Sequence, residues 1–498
     1  MQAKMPKSGR LNLKRFGREV TVYGVPGRIY NRFHANDTAA FVPEYWAEES
    51  VRVLTEQMVY GATVHRDFDP QVAKHGEIVH TRRPAELQGK RKQNDLDDIV
   101  DQDVSATDIE VRLNQRVYCS FVIGDGERSK SFKDLVAEYL VPGMRGNSRL
   151  LDQVLGGQVY QFLDNSKGGL GTLSKTNGHD YLLDLRGMFN DNKVGPENRW
   201  LGLASPSETL MQKTELFKSA EKIGDNGTAL RNALLGRVAG WNTFLELNTP
   251  SVRGATTGTA STADGAKAAG STTVDVASGH GSNFSIGSYF TVAGDMTPLQ
   301  VASISSDELT LVRATKGAIA NGAVVTNYAT GLVNQASAIA AGQTHLAAAS
   351  GYPANWMKEI VYDGTGVPKV GQLVSFSTAS SAALIPGEYC IVQVDTVNKT
   401  ILLDRPLDSA ILDNSVINYG PDGDYNFGYQ REALTLVNRP MALPMDGTGV
   451  RAALATFENM SLHVKISYDP VKEGHRVNIG GLFGVKTLDT SRGGVLLG

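Results

Sequence analysis

The chain has 498 residues, with 49 Lys and Arg against 52 Asp and Glu, only two cysteines, and 41% of residues in the apolar set. That length and composition give material for two to four folded domains and exclude a disordered chain. Cys119 and Cys390 are too few for a disulfide framework or a structural zinc site, so a reducing setting is expected. No run approaches the roughly 18 apolar residues of a membrane span, and the basic start lacks the continuous apolar core of a secretory signal.

Residues 1–36 hold eight Lys/Arg and one acid, Glu19, a net of +7. With no sustained helical or strand period they read as an extended arm, in which Lys4, Lys7, Arg10, Lys14, Arg15 and Arg18 either meet phosphates without reading bases or lie along a neighbouring subunit. Pro43 opens a helix expected over 43–62, with Ala47, Val51, Leu54, Met58 and Ala62 on one face. Two strand-like stretches follow, 77–81 and 109–123. The projection between them carries Arg82, Arg83, Lys90, Arg91 and Lys92 on one flank and Asp95, Asp97, Asp98, Asp101 and Asp103 on the other. These charges either pair with each other or a neighbouring copy, or form two solvated clusters.

Ser131 with Asp134 reads as a helix start, Pro142 and Gly143 as an interruption, and a second helix after Asn147 buries Leu151, Val154, Leu155, Val159 and Phe162. From 199 to 247 short strands alternate with a helix (strand 199–203, helix 205–220, strand 236–247), an α+β pattern. Residues 254–430 then carry 7 Lys/Arg and 14 Asp/Glu, a net of −7, in a β-rich, charge-poor block. Such a block reads as an insertion that leaves and returns at neighbouring points, out through 241–247 and Pro250 and back through 433–437. Residues 251–270 have the small-residue composition of a linker. Beyond them a tandem repeat is suggested by 274–279 against 346–351, Ile286 and Gly287 against Val370 and Gly371, Leu311 and Val312 against Leu402 and Leu403, and Asn327 and Tyr328 against Asn418 and Tyr419. Each copy would be a small β-barrel or sandwich.

Signatures of chemistry are sparse. The run 168–171 (GGLG) lacks the strand and GK[ST] of a phosphate loop, His75 and His80 do not share a helical face, and no GxSxG elbow occurs. Asp422, Asp424 and Asn426 resemble the start of a calcium loop, but Gly428 is one place late and Ala433 stands where Glu should. A polar hairpin is the better account there. No catalytic residue, metal or cofactor is assigned.

Five stretches in this order resemble the major capsid protein of tailed bacteriophages, the Hong Kong 97 fold family: 41–63 (FVPEYWAEESVRVLTEQMVYGAT), 75–84 (HGEIVHTRRP), 198–240 (from NRWLGLASPSETL), 431–440 (REALTLVNRP) and 482–498 (LFGVKTLDTSRGGVLLG). The resemblance implies an α+β capsid fold with a large all-β insertion. Its parts would be an N-arm at 1–36, a first helix at 37–62, an E-loop at 63–128 and a peripheral domain with spine helix at 129–174. The axial domain would take 175–250 and 431–460, around an inserted β domain at 251–430, with peripheral C-terminal strands at 461–498. It implies a structural, non-enzymatic subunit that forms hexamers and pentamers of an icosahedral head around double-stranded DNA. It further implies contact with a scaffolding protein, a portal protein and decoration proteins, no membrane, and assembly in the host bacterial cytoplasm. The E-loop residues Arg82, Arg83, Lys90, Arg91, Lys92, Asp95, Asp97 and Asp98 would touch a neighbouring subunit. The insertion would face outward or bridge capsomers, or stabilise the folding monomer. Another virion protein, a tail tube or a decoration protein, and a β-rich binding module are the competing readings.

Overall fold

The computed structural model describes residues 10–15, 18–23, 43–66, 78–83, 89–91, 98, 107–124, 126, 135–214, 236–255, 257–328, 330–334, 360–364, 368–378, 383–412, 414–445, 449–457 and 460–498. The arm is not featureless. Arg10–Arg15 (β1) and Arg18–Tyr23 (β2) form an antiparallel hairpin that sets Leu11 opposite Val22, Leu13 opposite Val20 and Lys14 opposite Glu19. Six-residue alternation was too short to register as a period, but a two-residue loop lets each strand complete the other's pattern.

Pro43–Gln57 (α1) buries Trp46, Ala47, Ser50, Val51, Val53 and Leu54. The expected single helix breaks after it and resumes as Tyr60–Thr63 (α2). Ile78–Arg83 (β3) pairs with Thr107–Arg112 (β4), and Gln115–Gly124 (β5) follows directly. The helix start proposed at Ser131 and Asp134 lies outside the described residues. From 136 the helix runs through the expected interruption. Val136–Leu140 is a π turn, in which the Val141 N–H donates to the Val136 carbonyl, and Val141–Gly157 (α3) continues with Pro142 in its first turn. The widened turn absorbs the missing N–H and bulky ring of Pro142, so the proline marks a bulge rather than an end. A 3-10 segment, Gln158–Asn165, completes a helical run over 136–165. All five apolar residues expected on its buried face are buried. Ser166–Gly168 (β6), Gly178–Asp191 (α4), Arg199–Leu203 (β7), Ser205–Gln212 (α5), Arg237–Val238 (β8), Trp241–Leu245 (β9) and Ser251–Val252 (β10) follow.

Two modules of identical pairing come next. The first holds Ser261–Thr262 (β11), Thr273–Asp275 (β12), Tyr289–Val292 (β13), Asp295–Ser305 (β14), Glu308–Leu311 (β15) and Val324–Asn327 (β16), in the order β11-β16-β13-β14-β15-β12. The second holds Thr330–Asn334 (β17), Ile360–Gly364 (β18), Leu373–Ser377 (β19), Leu384–Asp395 (β20), Thr400–Leu403 (β21) and Val416–Tyr419 (β22), a closed barrel β17-β18-β21-β20-β19-β22. Strand for strand these match. Even the seam agrees, because the bridge of Ala263 to Val276 occupies the place of Asn334 opposite Tyr362. Against the strand that follows it, each long strand shifts register at a matching place, between Val301 and Ser303 and between Ile391 and Gln393. Gly287 and Gly371 are equivalent, at φ 89° and 84°, and each donates its N–H to the residue before that shift, Val301 or Ile391. A backbone of that hand at both places suits glycine.

Three of the expected matches need correction. Leu311 is equivalent to Leu403, and Asn327 to Tyr419, each one residue from the sequence match, because short β-rich segments align nearly as well one place out of register. Residues 346–351 lie outside the described residues, and the strand equivalent to Thr273–Asp275 is Ile360–Gly364. Nor is 257–270 a linker. Its backbone bonds to Asn327, Ala323, Asp275 and Ile319, and Ser261 and Ala263 are buried in the first barrel.

The chain returns as Gly423–Gln430 (β23), then Leu434–Arg439 (β24), Arg451–Phe457 (β25), Met460–Asp469 (β26), Gly474–Thr487 (β27) and Gly493–Leu497 (β28). Exit and return are neighbours, with Ser251 opposite Asp424 and Val252 opposite Gly423. The return therefore falls at 423, not at 431. In one sheet, here sheet I, β24-β27-β26-β25 run in order and β5 pairs the far side of β27. In sheet II the order is β6-β28-β23-β7-β9-β8, with β10 on β23. The final strand thus leaves the group expected at 461–498 and lies between β6 and β23, where Val495, Leu496 and Leu497 are fully buried. One core, from Trp46 through Leu151, Leu155 and Phe162 to Phe427, Val477 and Leu497, joins α1, the helical run and both sheets, and it includes Tyr289, Leu373 and Cys390 of the barrels.

Candidate functional site: the junction of helix, barrels and final strand

The helical run 136–165 touches sheet I through β5, sheet II through β28, and the second barrel through β20. Where it meets that barrel, Gly157 has no side chain to spare. A Cβ there would stand 2.7 Å from Cys390 Cβ and 3.1 Å from Asp404 Cβ. Asp404 is fully buried. One carboxylate oxygen accepts from Gln158 Nε2 at 2.8 Å and the other from the Cys390 N–H at 2.8 Å, while its carbonyl accepts from Gln115 Nε2 at 2.9 Å. Tyr160 Oη donates to the Gly371 carbonyl at 2.6 Å. Burial pushes the Asp404 carboxyl up to about 6, against the pull of Arg405 and the Cys390 N–H.

The first barrel is fixed by a different group. The Arg313 side chain, 12% exposed, pairs with Glu388 of the second barrel and reaches Asp164, at the end of the helical run, at 3.1 Å. Tyr289 Oη donates to Glu388 at 2.8 Å, and Gln300 Nε2 donates to Ser375 Oγ at 2.8 Å. Lys316 Nζ bonds the Asp164 carbonyl, and the Leu170 N–H the Met296 carbonyl. The two barrels and the segment 157–170 thus close a ring of contacts.

Asp424 and Asn426, weighed above as a calcium start, are strand residues buried in sheet II. Asp424 accepts from Ser207 Oγ at 2.7 Å, Ser251 Oγ at 2.6 Å and Arg253 at 2.7 Å. Asn426 accepts from the Ala204 N–H and donates to Ser207 Oγ and the Leu496 carbonyl. Asp422 accepts from the Ala255 N–H. All three side chains accept from protein donors, and those of Asp424 tie the exit and return strands together. Asp424 and Asn426 form one buried face of β23, and Tyr425, Phe427 and Tyr429 on its other face lie in the main core. Among the described residues no group of three or more His, Cys, Asp or Glu is placed to hold a metal, and no helix is long and apolar enough to cross a membrane.

Another buried acid sits where α1 breaks. Asp152 of α3 accepts the Val59 N–H at 2.9 Å and the Gly61 N–H at 3.1 Å, which satisfies the backbone freed between α1 and α2. Burial raises it to about 7, with Glu246 adding to the rise.

Of the arm residues, Arg10, Lys14, Arg15 and Arg18 lie in β1 and β2, and Lys4 and Lys7 fall outside the described residues. In the projection, the backbone register sets Arg82 opposite Asp108 and Arg83 opposite Thr107. Lys90, Arg91 and Asp98 are exposed; Lys92, Asp95 and Asp97 lie outside the described residues. The residues that hold the junction, Asp404, Gln158, Arg313, Glu388 and Asp152, carried no motif. Arg313, Glu388 and Asp404 had one signal, scarcity, since charge inside a charge-poor block must either face water or be paired; Gln158 and Asp152, outside that block, had none.

No family model matches the chain. No curated protein matches it either. Solved phage structures do. A chain titled "Mycobacterium phage Che8" is 9% identical with a TM-score of 0.39, covering 95% of this chain and 98% of that one. "Capsid structure of the Cyanophage P-SCSP1u" is 7% identical at 0.36, covering 95% and 92%. "Asymmetric unit of bacteriophage PhiM1 mature capsid" is 8% identical at 0.37, covering 96% and 91%. The chain is similar to these over nearly its whole length and theirs.

Proposed function

We propose that this chain is the major capsid protein of a tailed bacteriophage, of the Hong Kong 97 type, and works by assembly rather than catalysis. The observation that carries the reading is the helical run 136–165, one rod packed against both sheets and the second barrel, beside a hairpin, β3 and β4, whose strands pair only with each other among the described residues. A shell subunit needs such a rigid spine, because each of its several contacts must hold a fixed angle to the others. Beyond the end where Val79 and Val111 pack with Val437 and Leu482 of sheet I, a two-stranded ribbon is marginal in water and gains stability from a partner surface. In this reading β1–β2 is the N-arm, β3–β4 the E-loop and 136–165 the spine. Sheet I forms the peripheral domain, sheet II the axial domain, and the two barrels are its insertion. Many copies would form hexamers and pentamers of a phage head around double-stranded DNA, with scaffolding and portal proteins as assembly partners in the bacterial cytoplasm.

Expressing the chain with and without a candidate scaffolding protein and imaging the product by negative-stain electron microscopy tests this. Closed polyhedral shells support it. Tubes, rings or a monodisperse monomer under both conditions overturn it, in favour of a tail-tube, decoration or binding protein.

A further inference from the structure

Beyond the C-terminal end of α4 lies a buried cation with no counter-charge. Arg199, at the start of β7, is 2% exposed, and its guanidinium packs over Phe189 and Trp241, with Cζ 5.5 and 5.9 Å from the two ring centres. Nε donates to the Gly195 carbonyl at 3.0 Å, and Nη2 donates to Asn190 Oδ1 at 2.9 Å and to the Val194 carbonyl at 2.6 Å. A guanidinium carries five N–H donors in a fixed fork. Three of them serve the end of the helix and the loop after it, while those on Nη1 meet no protein acceptor. Nη1 is not sealed from solvent, whereas the indole Nε1 of Trp241 beside it is enclosed without a partner.

The charge is unanswered too. Burial and Arg186 both hold Arg199 below its ordinary range, and no carboxylate opposes them. Arg186 stands one turn before Asn190 on α4, so the two share a face. Its guanidinium passes beside Gly240, where a Cβ would stand 3.8 Å from Nε. Ala239 and Gly240, at φ 50° and 86°, are the turn between β8 and β9. Among the described residues Arg186 is exposed and has no acid partner. Carbonyls at a helix end and aromatic faces offset part of the cost of burying a cation, and an anion offsets the rest. With so little of Arg199 open to solvent, the approach to Nη1 suits one small group rather than a flat polyanion.

We infer that Arg199 and Arg186 bind one small oxyanion of the phosphate or sulfate class, lodged between the end of α4 and the β8–β9 turn. One anion oxygen accepts from Nη1 of Arg199 and another from Arg186, which joins the helix to the edge of sheet II. The site does not rest on the capsid reading.

The test uses the full-length chain and inorganic phosphate, with the thermal midpoint followed against phosphate concentration at an ionic strength held constant with chloride. A ligand held by the folded state alone raises the midpoint once its concentration exceeds Kd. The Trp241 indole resonance, assigned by its absence in Trp241→Phe, should shift over the same range. Arg186→Gln should weaken binding about tenfold, the effect of one charge-assisted hydrogen bond. Arg145→Gln, an equal loss of charge at an exposed position of α3, should leave binding unchanged. Arg199→Lys keeps the charge but lacks the fork, and should lose the phosphate-dependent rise relative to its own phosphate-free midpoint. No rise in the wild type, or an equal rise in Arg186→Gln, overturns the inference. So does a rise during which the Trp241 resonance stays still, since the phosphate then sits elsewhere. Self-association that ignores phosphate and is lost in Arg186→Gln would make the occupant a carboxylate of a second copy, and likewise overturns it.

Discussion

In the second barrel, Gly371, Cys390 and Asp404 face the helical run, and a buried carboxylate holds Gln158. In the first barrel the equivalent positions are Gly287, Gln300 and Val312, and this side meets the second barrel instead, through Gln300 and Ser375 and through Arg313 beside Val312. Two modules of one topology thus present the same surface to two different hosts. The glycine that brings the backbones close and the arginine at 313 and 405 persist in both, while Cys390 and Asp404 give way to Gln300 and Val312, and the arginine turns from Asp408 within its own barrel to Glu388 of the other. Topology is set by strand pairing and the register shift, which both copies retain; docking is set by a few side chains at the strand ends, which differ.

The largest expected effect comes from cutting the first barrel's tether. Arg313→Ala leaves the part-buried Glu388 with the Tyr289 hydrogen bond but without its counter-charge and should cost about 3 kcal/mol. The loss is read as a lower urea midpoint, with faster hydrogen exchange in β13 to β15 and in 163–170. Exchange that rises uniformly, α1 included, would mean the barrels do not dock separately.

Next is Gly157→Val, which pushes a branched side chain against Cys390 and Asp404. Overpacking of about 1–3 kcal/mol is expected, with exchange increased in β20 and β21 before β14 and β15. Thermal unfolding at the wild-type midpoint would show that the helix and the second barrel are not in close contact.

Two buried acids, Asp404 of the second barrel and Asp152 of α3, give the fold a pH dependence. Asp404 at about 6 and Asp152 at about 7 lie above the ordinary 3.8, so the folded state holds protons that the unfolded chain releases. Their contribution is complete below about pH 4 and falls as pH rises through 6 and 7. Asp404→Asn should flatten the decline in midpoint between pH 4 and 6, and Asp152→Asn the part that extends toward 7. A wild-type curve rising over that window, after subtraction of each variant, would refute the sign. Smallest is Tyr289→Phe, which removes one hydrogen bond to Glu388 and should cost about 1 kcal/mol. A midpoint matching Arg313→Ala would make the tyrosine, not the ion pair, the tether.

Local pattern was enough for much of the chain. The apolar face of the helix from 151 to 162, the strand Arg199–Leu203, the charge-poor block and its duplicated character were all legible, because periodicity and composition act within a few residues of each position. Errors fell where a distant partner decides. Pro142 reads as a stop until a π turn absorbs it. Small residues at 257–270 read as a linker until the strands they pair with, some sixty residues on, are in place. Asp424 and Asn426 read as a loop because buried polar side chains on a central strand are tolerable only when Ser207, Ser251, Arg253 and Leu496 supply their hydrogen bonds, and no local window contains those residues. The sequence by itself determined the main helices, most strands and the extent of the inserted block. Tertiary structure alone decided which buried charges are compensated and how the modules dock, since a burial cost is offset only by groups brought together from far along the chain.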